Sequence, residues 1–242
     1  MIFVTRPSPE GEKLTELFNQ AGLYAQHLPF FKISQGRDIL KLQYQLNQLL
    51  PNDIVIVVSP QVTHAINHNV TKLILPAGIR YFAIGKKSAQ LFMQFAQVDV
   101  FYPDREDSEG LLALLQNHPV NQRTVLILCG NSGRKLLEQT LMRRQAKVKL
   151  IECYTRIPMS YRKDVLSKHI SKQLIIITSL EHLNQLESYS SNVHKTVSHL
   201  IVTSQRIFTK ARELQWRNVL LIKSADNQTI FNAVKQNFSF PL

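Results

Sequence analysis

The stretch from Arg123 to Arg156, RTVLILCGNSGRKLLEQTLMRRQAKVKLIECYTR, constrains the fold more than any other part of the chain. Val125 to Leu128 is a short apolar run of β-formers. A small polar loop follows, Cys129-Gly130-Asn131-Ser132-Gly133. Leu137 and Leu141 then stand one helical turn apart, flanked by Leu136 and Met142. Val148 to Tyr154 is a second strand. Strand, tight loop, helix, strand is the parallel βαβ unit.

The same alternation runs along the whole chain. Ile2 to Val4 is a strand that stops at Thr5-Arg6-Pro7, and Leu14, Leu17, Phe18 and Ala21 mark a helix capped by Gly22. Tyr24 to Ile33 is extended but broken by Pro29, Ser34-Gln35-Gly36 is a turn, and Asp38 to Leu50 is a helix. Asp53 to Val58 (DIVIVV) is apolar throughout, as a strand covered on both faces must be. Further strands fall at 81–84, 98–102, 174–177, 200–202 and 219–222, each leading into a helix through a polar loop. About ten strands alternating with helices predict an α/β protein with parallel sheets. The length favours two sheets of about five strands over one of ten. Two extended segments lack tight β-to-α loops, Leu28 to Ser34 and Cys153 to Met159, and both carry a proline. They would serve as paired crossings if one domain were inserted in the other.

Composition narrows the function. The chain has 242 residues, 44% of them hydrophobic, enough for one large or two ordinary domains. No apolar run approaches the roughly 18 residues of a membrane span. The start, MIFVTRPSPEGEKL, lacks the charged opening and long apolar middle of a signal peptide. Two cysteines, Cys129 and Cys153, are too few for a disulfide framework. A reduced, cytoplasmic protein with no membrane partner is the expectation. Twenty-nine Lys and Arg against 17 acids give a net charge of +12. Either the charge serves solubility with loose affinity for polyanions, or it serves an anionic ligand or nucleic acid. The basic residues form no dense block beyond Arg143-Arg144 with Lys147 and Lys149, which argues against a nucleic-acid arm.

In open α/β sheets the ligand lies beyond the carboxyl ends of the strands. Here those ends read Thr5-Arg6, Ser59-Pro60-Gln61, Gly85-Lys86-Lys87-Ser88, Cys129-Gly130-Asn131-Ser132, Thr178-Ser179, Thr203-Ser204-Gln205 and Lys223-Ser224. Each is small, rich in hydroxyl, amide or basic groups, and most lead into a helix. Ser, Thr and Asn are ordinary helix caps, so no single loop is diagnostic. Their repetition in a basic chain favours a ligand with many carboxylates or phosphates.

Named motifs are missing. Gly130-Asn131-Ser132-Gly133 is not G-x-G-x-x-G, although Glu152 sits near where a ribose-binding acid would be. There is no Walker lysine and no G-x-S-x-G elbow. The eight histidines are scattered; His64 and His68 are four apart but lack a third ligand, so they read as surface and no metal set is assigned. Asp104, Asp107 and Glu109 read as a solvated loop feeding a helix start. An enzyme with this sequence works by positioning and electrostatics, without a cofactor.

Several stretches together carry a family resemblance: VTRPSPEGEKL, YFAIGKKSAQLF, the acidic loop into EGLLALL, RTVLILCGNSGRKLLEQTL, IECYTR and VTSQRIFTKARELQWRNVLLIKSADNQTI. They span nearly the full length, in order. The chain resembles uroporphyrinogen-III synthases, particularly those of enteric-type bacteria. The resemblance implies two flavodoxin-like domains with parallel sheets joined by a two-stranded connector, one inserted in the other. Residues 1–35 with 156–242 would form the domain holding both termini, and 36–155 the inserted one.

It implies a substrate, hydroxymethylbilane, held in the cleft between them and cyclised to uroporphyrinogen III with loss of water and inversion of ring D. The terminal hydroxyl leaves with help from an acid, giving an azafulvene. Ring D attacks through its chain-bearing α-carbon, and the spiro intermediate fragments and recloses. The family's favoured acid falls on Tyr154, a phenol protonated at neutral pH. The substrate bears eight carboxylates, and the residues expected to hold it are Thr5, Arg6, Ser59, Gln61, Gly85, Lys86, Ser88, Gly130, Asn131, Ser132, Thr178, Ser179, Thr203 and Ser204. No cofactor, metal or nucleic acid is implied, and a monomer is expected. Two departures stand out: Ser59-Pro60-Gln61-Val62 where relatives often have S-x-N-A, and Ser88 where they often have threonine. The competing readings are a two-domain anion-binding module without catalysis and a basic nucleic-acid binder.

Overall fold

The computed structural model describes residues 1–131, 135–167 and 170–238. Its strands are β1 (Ile2–Val4), β2 (Ala25–His27), β3 (Phe31–Gln35), β4 (Ile54–Val57), β5 (Arg80–Ala83), β6 (Val100–Phe101), β7 (Thr124–Gly130), β8 (Lys147–Pro158), β9 (Leu174–Ile177), β10 (His199–Val202) and β11 (Asn218–Leu221). Its helices are α1 (Glu10–Gln20), α2 (Leu42–Asn47), α3 (Pro60–Asn69), α4 (Lys86–Ala96), α5 (Ser108–Leu114), α6 (Lys135–Arg143), α7 (Leu180–Glu187), α8 (Asn192–Val197), α9 (Gln205–Glu213) and α10 (Asn227–Asn237).

The chain divides into two compact units: residues 1–32 with 157–242, and residues 33–156. It passes between them twice, inside β3 and inside β8. No helix of the described residues is long and apolar enough to cross a membrane.

The first unit holds a five-stranded sheet in the order β2-β1-β9-β10-β11. Counted along the chain this is the order 2-1-3-4-5, the flavodoxin-like winding. All its pairings are parallel. Alternate side chains divide between two buried layers, one containing Phe3, Ile175, Ile177, Leu200 and Trp216, the other Ile2, Val4, Ile176, Ile201 and Phe18. Residues buried on both faces explain why these strands read as unbroken apolar runs.

The second unit holds six strands in the order β6-β5-β4-β7-β8-β3. The pairings from β6 through β8 are parallel. Setting β3 aside as the edge, the order along the chain is 3-2-1-4-5. Ile54 to Val57 are wholly buried, with Val55 and Val57 in one layer and Ile54 and Ile56 in the other. Each such side chain contributes about 1.5–3 kcal/mol by leaving water.

Local chemistry explains the starts of the helices. Ser59, Asp107, Ser179, Ser191, Ser204 and Asp226 each accept a bond from a backbone N–H in the first turn that follows. Pro60 occupies the first turn of α3, where its missing N–H costs nothing.

Four elements differ from the sequence reading. The extended segment broken at Pro29 is two strands that belong to different sheets. Where Ser34-Gln35 was read as a turn, β3 continues, because its backbone finds the edge of β8. The helix expected over 38–50 is a 3₁₀ turn at Ile39–Lys41 followed by the shorter α2. Cys129 and Gly130, read as loop, are the last two residues of β7. Glycine is a poor strand former, and what holds it there is a tertiary contact described below.

Candidate active site

The pairing of β7 with β8 slips by one residue. Cys129 faces Glu152, yet the next residue, Gly130, faces Tyr154. Cys153 is therefore the extra residue of a β-bulge, a device that re-aims side chains. Alternation breaks at that point: Ile151, Cys153 and Tyr154 all enter the same buried layer. Two glycines make the bulge possible. Gly36 lies so close to the carbonyl oxygen of Glu152 that a Cβ there would overlap it. Its N–H donates to Cys153 O at 3.1 Å, and Asp38 N–H donates to Glu152 O at 3.1 Å. On the other side, a Cβ on Gly130 would come within 2.6 Å of Tyr154 Cε2 and Cζ.

The Tyr154 ring thus passes over Gly130 of β7 to the end of β4, about two strand spacings of 4.8 Å each. There its hydroxyl donates to Ser59 Oγ at 3.1 Å. Arg156 Nη2 lies 3.4 Å from the same hydroxyl, and the guanidinium carbon sits 5.7 Å from the ring centroid. Arginine has only donors, so the phenol oxygen accepts from Arg156 and gives its single hydrogen to Ser59. Ser59 Oγ also accepts from Gln61 N–H at 3.0 Å. With both lone pairs occupied, the serine keeps one hydrogen to donate elsewhere. Tyr154 is 3% exposed, while Ser59 and Arg156 are half-buried.

Asn131 fixes Arg156. Its side-chain oxygen accepts from Arg156 N–H at 2.9 Å and its amide donates to Arg156 O at 3.3 Å. The side chain continues the β7–β8 ladder where the backbone stops. These residues meet between β4 and β7, where the strand order reverses, the usual ligand crevice of such sheets.

At the end of β5, Gly85 precedes α4 and Lys86 N–H donates to Glu106 Oε2 at 3.1 Å. The Glu106 carboxylate fills the space a Cβ on Gly85 would need. An acid of the chain itself occupies this helix start. Ser88 is buried inside α4, and Gln61 is half-buried in the first turn of α3. Ser132 lies outside the described residues.

The corresponding loops of the first unit are mostly engaged. Thr5 is wholly buried and its hydroxyl donates to Ile176 O at 2.7 Å, tying β1 to β9. Arg6 Nη1 donates to Ala225 O at 2.8 Å and to Asn227 Oδ1 at 2.5 Å. Burial lowers the Arg6 pKa, and the charges of Glu10 and Asp226 oppose that. Thr178 Oγ1 lies 3.2 Å from His182 Nδ1, and Ser179 and Ser204 cap α7 and α9. Thr203 is half-buried beside Ser204.

Burial pushes the Cys129 thiol to about 11 and Cys153 higher still, so neither is a thiolate nucleophile at neutral pH. Among the described residues, no three His, Cys, Asp or Glu side chains form a metal-binding group. His68 is exposed and His64 half-buried.

Two functional candidates escaped the sequence reading. Arg156 stands two residues beyond Tyr154, the spacing that places strand side chains on one face, so its role was detectable. Glu106 reaches its partner across twenty residues, and nothing local announces that contact.

Comparison with known proteins identifies the relatives of this arrangement. The family described as uroporphyrinogen-III synthase HemD matches residues 12–232. Uroporphyrinogen-III synthase of Salmonella typhimurium is 33% identical over 247 residues, covering 97% of this chain and 99% of that protein. The Escherichia coli enzyme of the same name is 33% identical over 249 residues, with the same coverage. Uroporphyrinogen III synthase from Thermus thermophilus shares the fold with a TM-score of 0.65 at 13% identity, covering 98% of each chain. The Helicobacter pylori synthetase gives 0.62 at 13% identity over 97% of each. With a family match over most of its length and near-complete alignment to these relatives, the chain belongs to the uroporphyrinogen-III synthase family.

Proposed function

We propose that this protein cyclises hydroxymethylbilane to uroporphyrinogen III, with loss of water and inversion of ring D, in tetrapyrrole biosynthesis. The observation that carries this reading is the alignment over 97% of the chain with enzymes of that name. The site supplies a rationale for each demand of the reaction. Free hydroxymethylbilane closes unaided without inversion, so the enzyme must above all impose geometry. Eight carboxylates must be held, and a chain of net charge +12 with many capped helix starts suits that task.

Departure of the terminal hydroxyl needs a proton. In our reading Tyr154 supplies it. Because the phenol is buried, its proton passes through Ser59, whose remaining hydrogen goes to the leaving oxygen while Tyr154 Oη–H replaces it. Arg156 stabilises the phenolate left behind. Ring D loses one proton when its aromaticity returns, and the phenolate accepts it by the same route. Only water is lost. The bulge, Gly130 and Asn131 serve this chemistry indirectly, by holding Tyr154 and Arg156 in register.

We also read the protein as a cytoplasmic monomer whose other expected loop residues, Lys86, Thr178, Ser179, Thr203 and Ser204 among them, take substrate carboxylates. The decisive experiment supplies hydroxymethylbilane generated in situ and resolves the isomers formed. Isomer III is expected; spontaneous isomer I alone would sink the enzyme reading in favour of an anion-binding module.

A further inference from the structure

A basic cavity lies in the first unit, at the amino ends of β10 and β11 and so at the opposite end of that sheet from the loops after β9 and β10. Its volume is about 440 Å³, within the range of small-molecule pockets. Lys195 and Thr196 of α8 form one wall, and Arg212, Gln215 and Arg217 form the other over a buried Trp216.

Four backbone carbonyls around this cavity, those of Lys195, Thr196, Trp216 and Arg217, are already engaged. Arg217 N–H donates to Lys195 O at 2.9 Å, and Asn218 Nδ2 donates to Thr196 O at 3.0 Å. Arg212 Nη1 donates to Trp216 O at 3.1 Å and to Arg217 O at 2.6 Å. Those bonds hold the α9–β11 turn rigid, with Gln215 in the left-handed conformation at φ 69°. They leave a lining dominated by donors. Glu187, behind the wall, receives Lys195 Nζ at 2.6 Å and Trp216 Nε1 at 2.8 Å, so it offsets one cation. Carbonyl oxygens hold Arg212 without cancelling its charge, and Arg217 is exposed at the rim. Among the described residues, no acid lines the cavity.

We propose that this cavity is a binding site for a small organic anion bearing a phosphate or clustered carboxylates, separate from the loops assigned to the tetrapyrrole. Lining cations and engaged carbonyls select against cations and neutral hydrogen-bond donors alike, while arginine pairs with phosphate and carboxylate in bidentate fashion. The site does not depend on the proposed reaction.

The test is calorimetric titration of the full chain with pyrophosphate and, separately, with citrate. Saturable one-to-one binding of either probe is expected, and which one binds names the anion class. Arg217→Glu should weaken it by at least about tenfold, the scale of one lost charge-assisted contact. Arg143→Glu makes the same charge change on exposed α6 and controls for general attraction to a basic protein. It should leave affinity within about twofold. Equal weakening in both variants, or no saturable binding of either probe, overturns the proposal. Both positions are exposed, so both variants should melt with the wild type.

Discussion

Gly130 and Tyr154 face each other across β7 and β8, and the glycine's missing side chain is the space the tyrosine ring occupies. A methyl group there would stand 2.6 Å from two ring carbons. The neighbour is a rigid ring anchored at both ends, so it cannot yield cheaply. Gly130→Ala should therefore cost about 1–3 kcal/mol of stability, the usual range for overpacking. It should also lower isomer III formation by at least about tenfold, since Tyr154 Oη would leave Ser59. Urea denaturation and the isomer assay check the two effects. Full activity with wild-type stability would show that the ring has an alternative seat.

The relay from Tyr154 to Ser59 makes a sharper demand. Tyr154→Phe should lower turnover roughly tenfold to a hundredfold, at the modest end of general-acid effects. Ser59→Ala should cost a similar factor, with an added stability loss of about 1 kcal/mol because the residue also caps α3. The double variant should be hardly slower than the slower single one, as groups acting in one unit are non-additive. Multiplicative losses in the double variant would separate the two residues into independent roles.

Much of this was legible from the sequence. Val55 and Ile56 announced a strand covered on both faces because every neighbour was apolar, and Ser59 and Ser179 announced helix starts by position. Tyr154 came from family resemblance, and nothing in its local context distinguished it from a strand aromatic. What stayed hidden was long-range. Gly130 looked like loop because glycine usually is, and only the ring from β8 explains a glycine in β7. Thr5 was expected among the ligand contacts, and the bond its hydroxyl donates to Ile176 O in the neighbouring strand had no local signal. Hydroxyl-rich strand ends carry the same letters whether they bond within the chain or face a ligand.

Glu106 stands at the start of α4, where the proposed reaction would place a substrate carboxylate. If the two compete, removing the charge should help the substrate. Glu106→Gln keeps an acceptor for Lys86 N–H but drops the negative charge at the helix start. The expected result is a KM lowered by about twofold to fivefold, matching roughly 0.3–1 kcal/mol for a charge at a helix terminus, with kcat unchanged. A raised KM would mean that Glu106 supports the loop and competes with nothing.

Asp226 gives the first unit a defined acid sensitivity. Burial would raise its pKa, but bonds from Ser224 Oγ and from the hydroxyl and N–H of Thr229 outweigh this and bring it down to about 2. The carboxylate caps α10 and favours the charged form of Arg6. A carboxylate whose folded pKa lies below its unfolded value binds protons more readily when unfolded, so its contribution is present above the unfolded pKa. That contribution falls away as pH drops from the unfolded value, 3.8, toward about 2. Much of the side chain meets solvent, so the effect is small and weakened by salt. Asp226→Asn keeps a capping oxygen but has no charge to lose. Urea midpoints measured across that window should fall more steeply for the wild type than for Asp226→Asn, and the two should differ most at low salt. Parallel curves would mean that the carboxylate acts through geometry alone, and that the bonds from Ser224 and Thr229 are as strong to the neutral acid as to the anion.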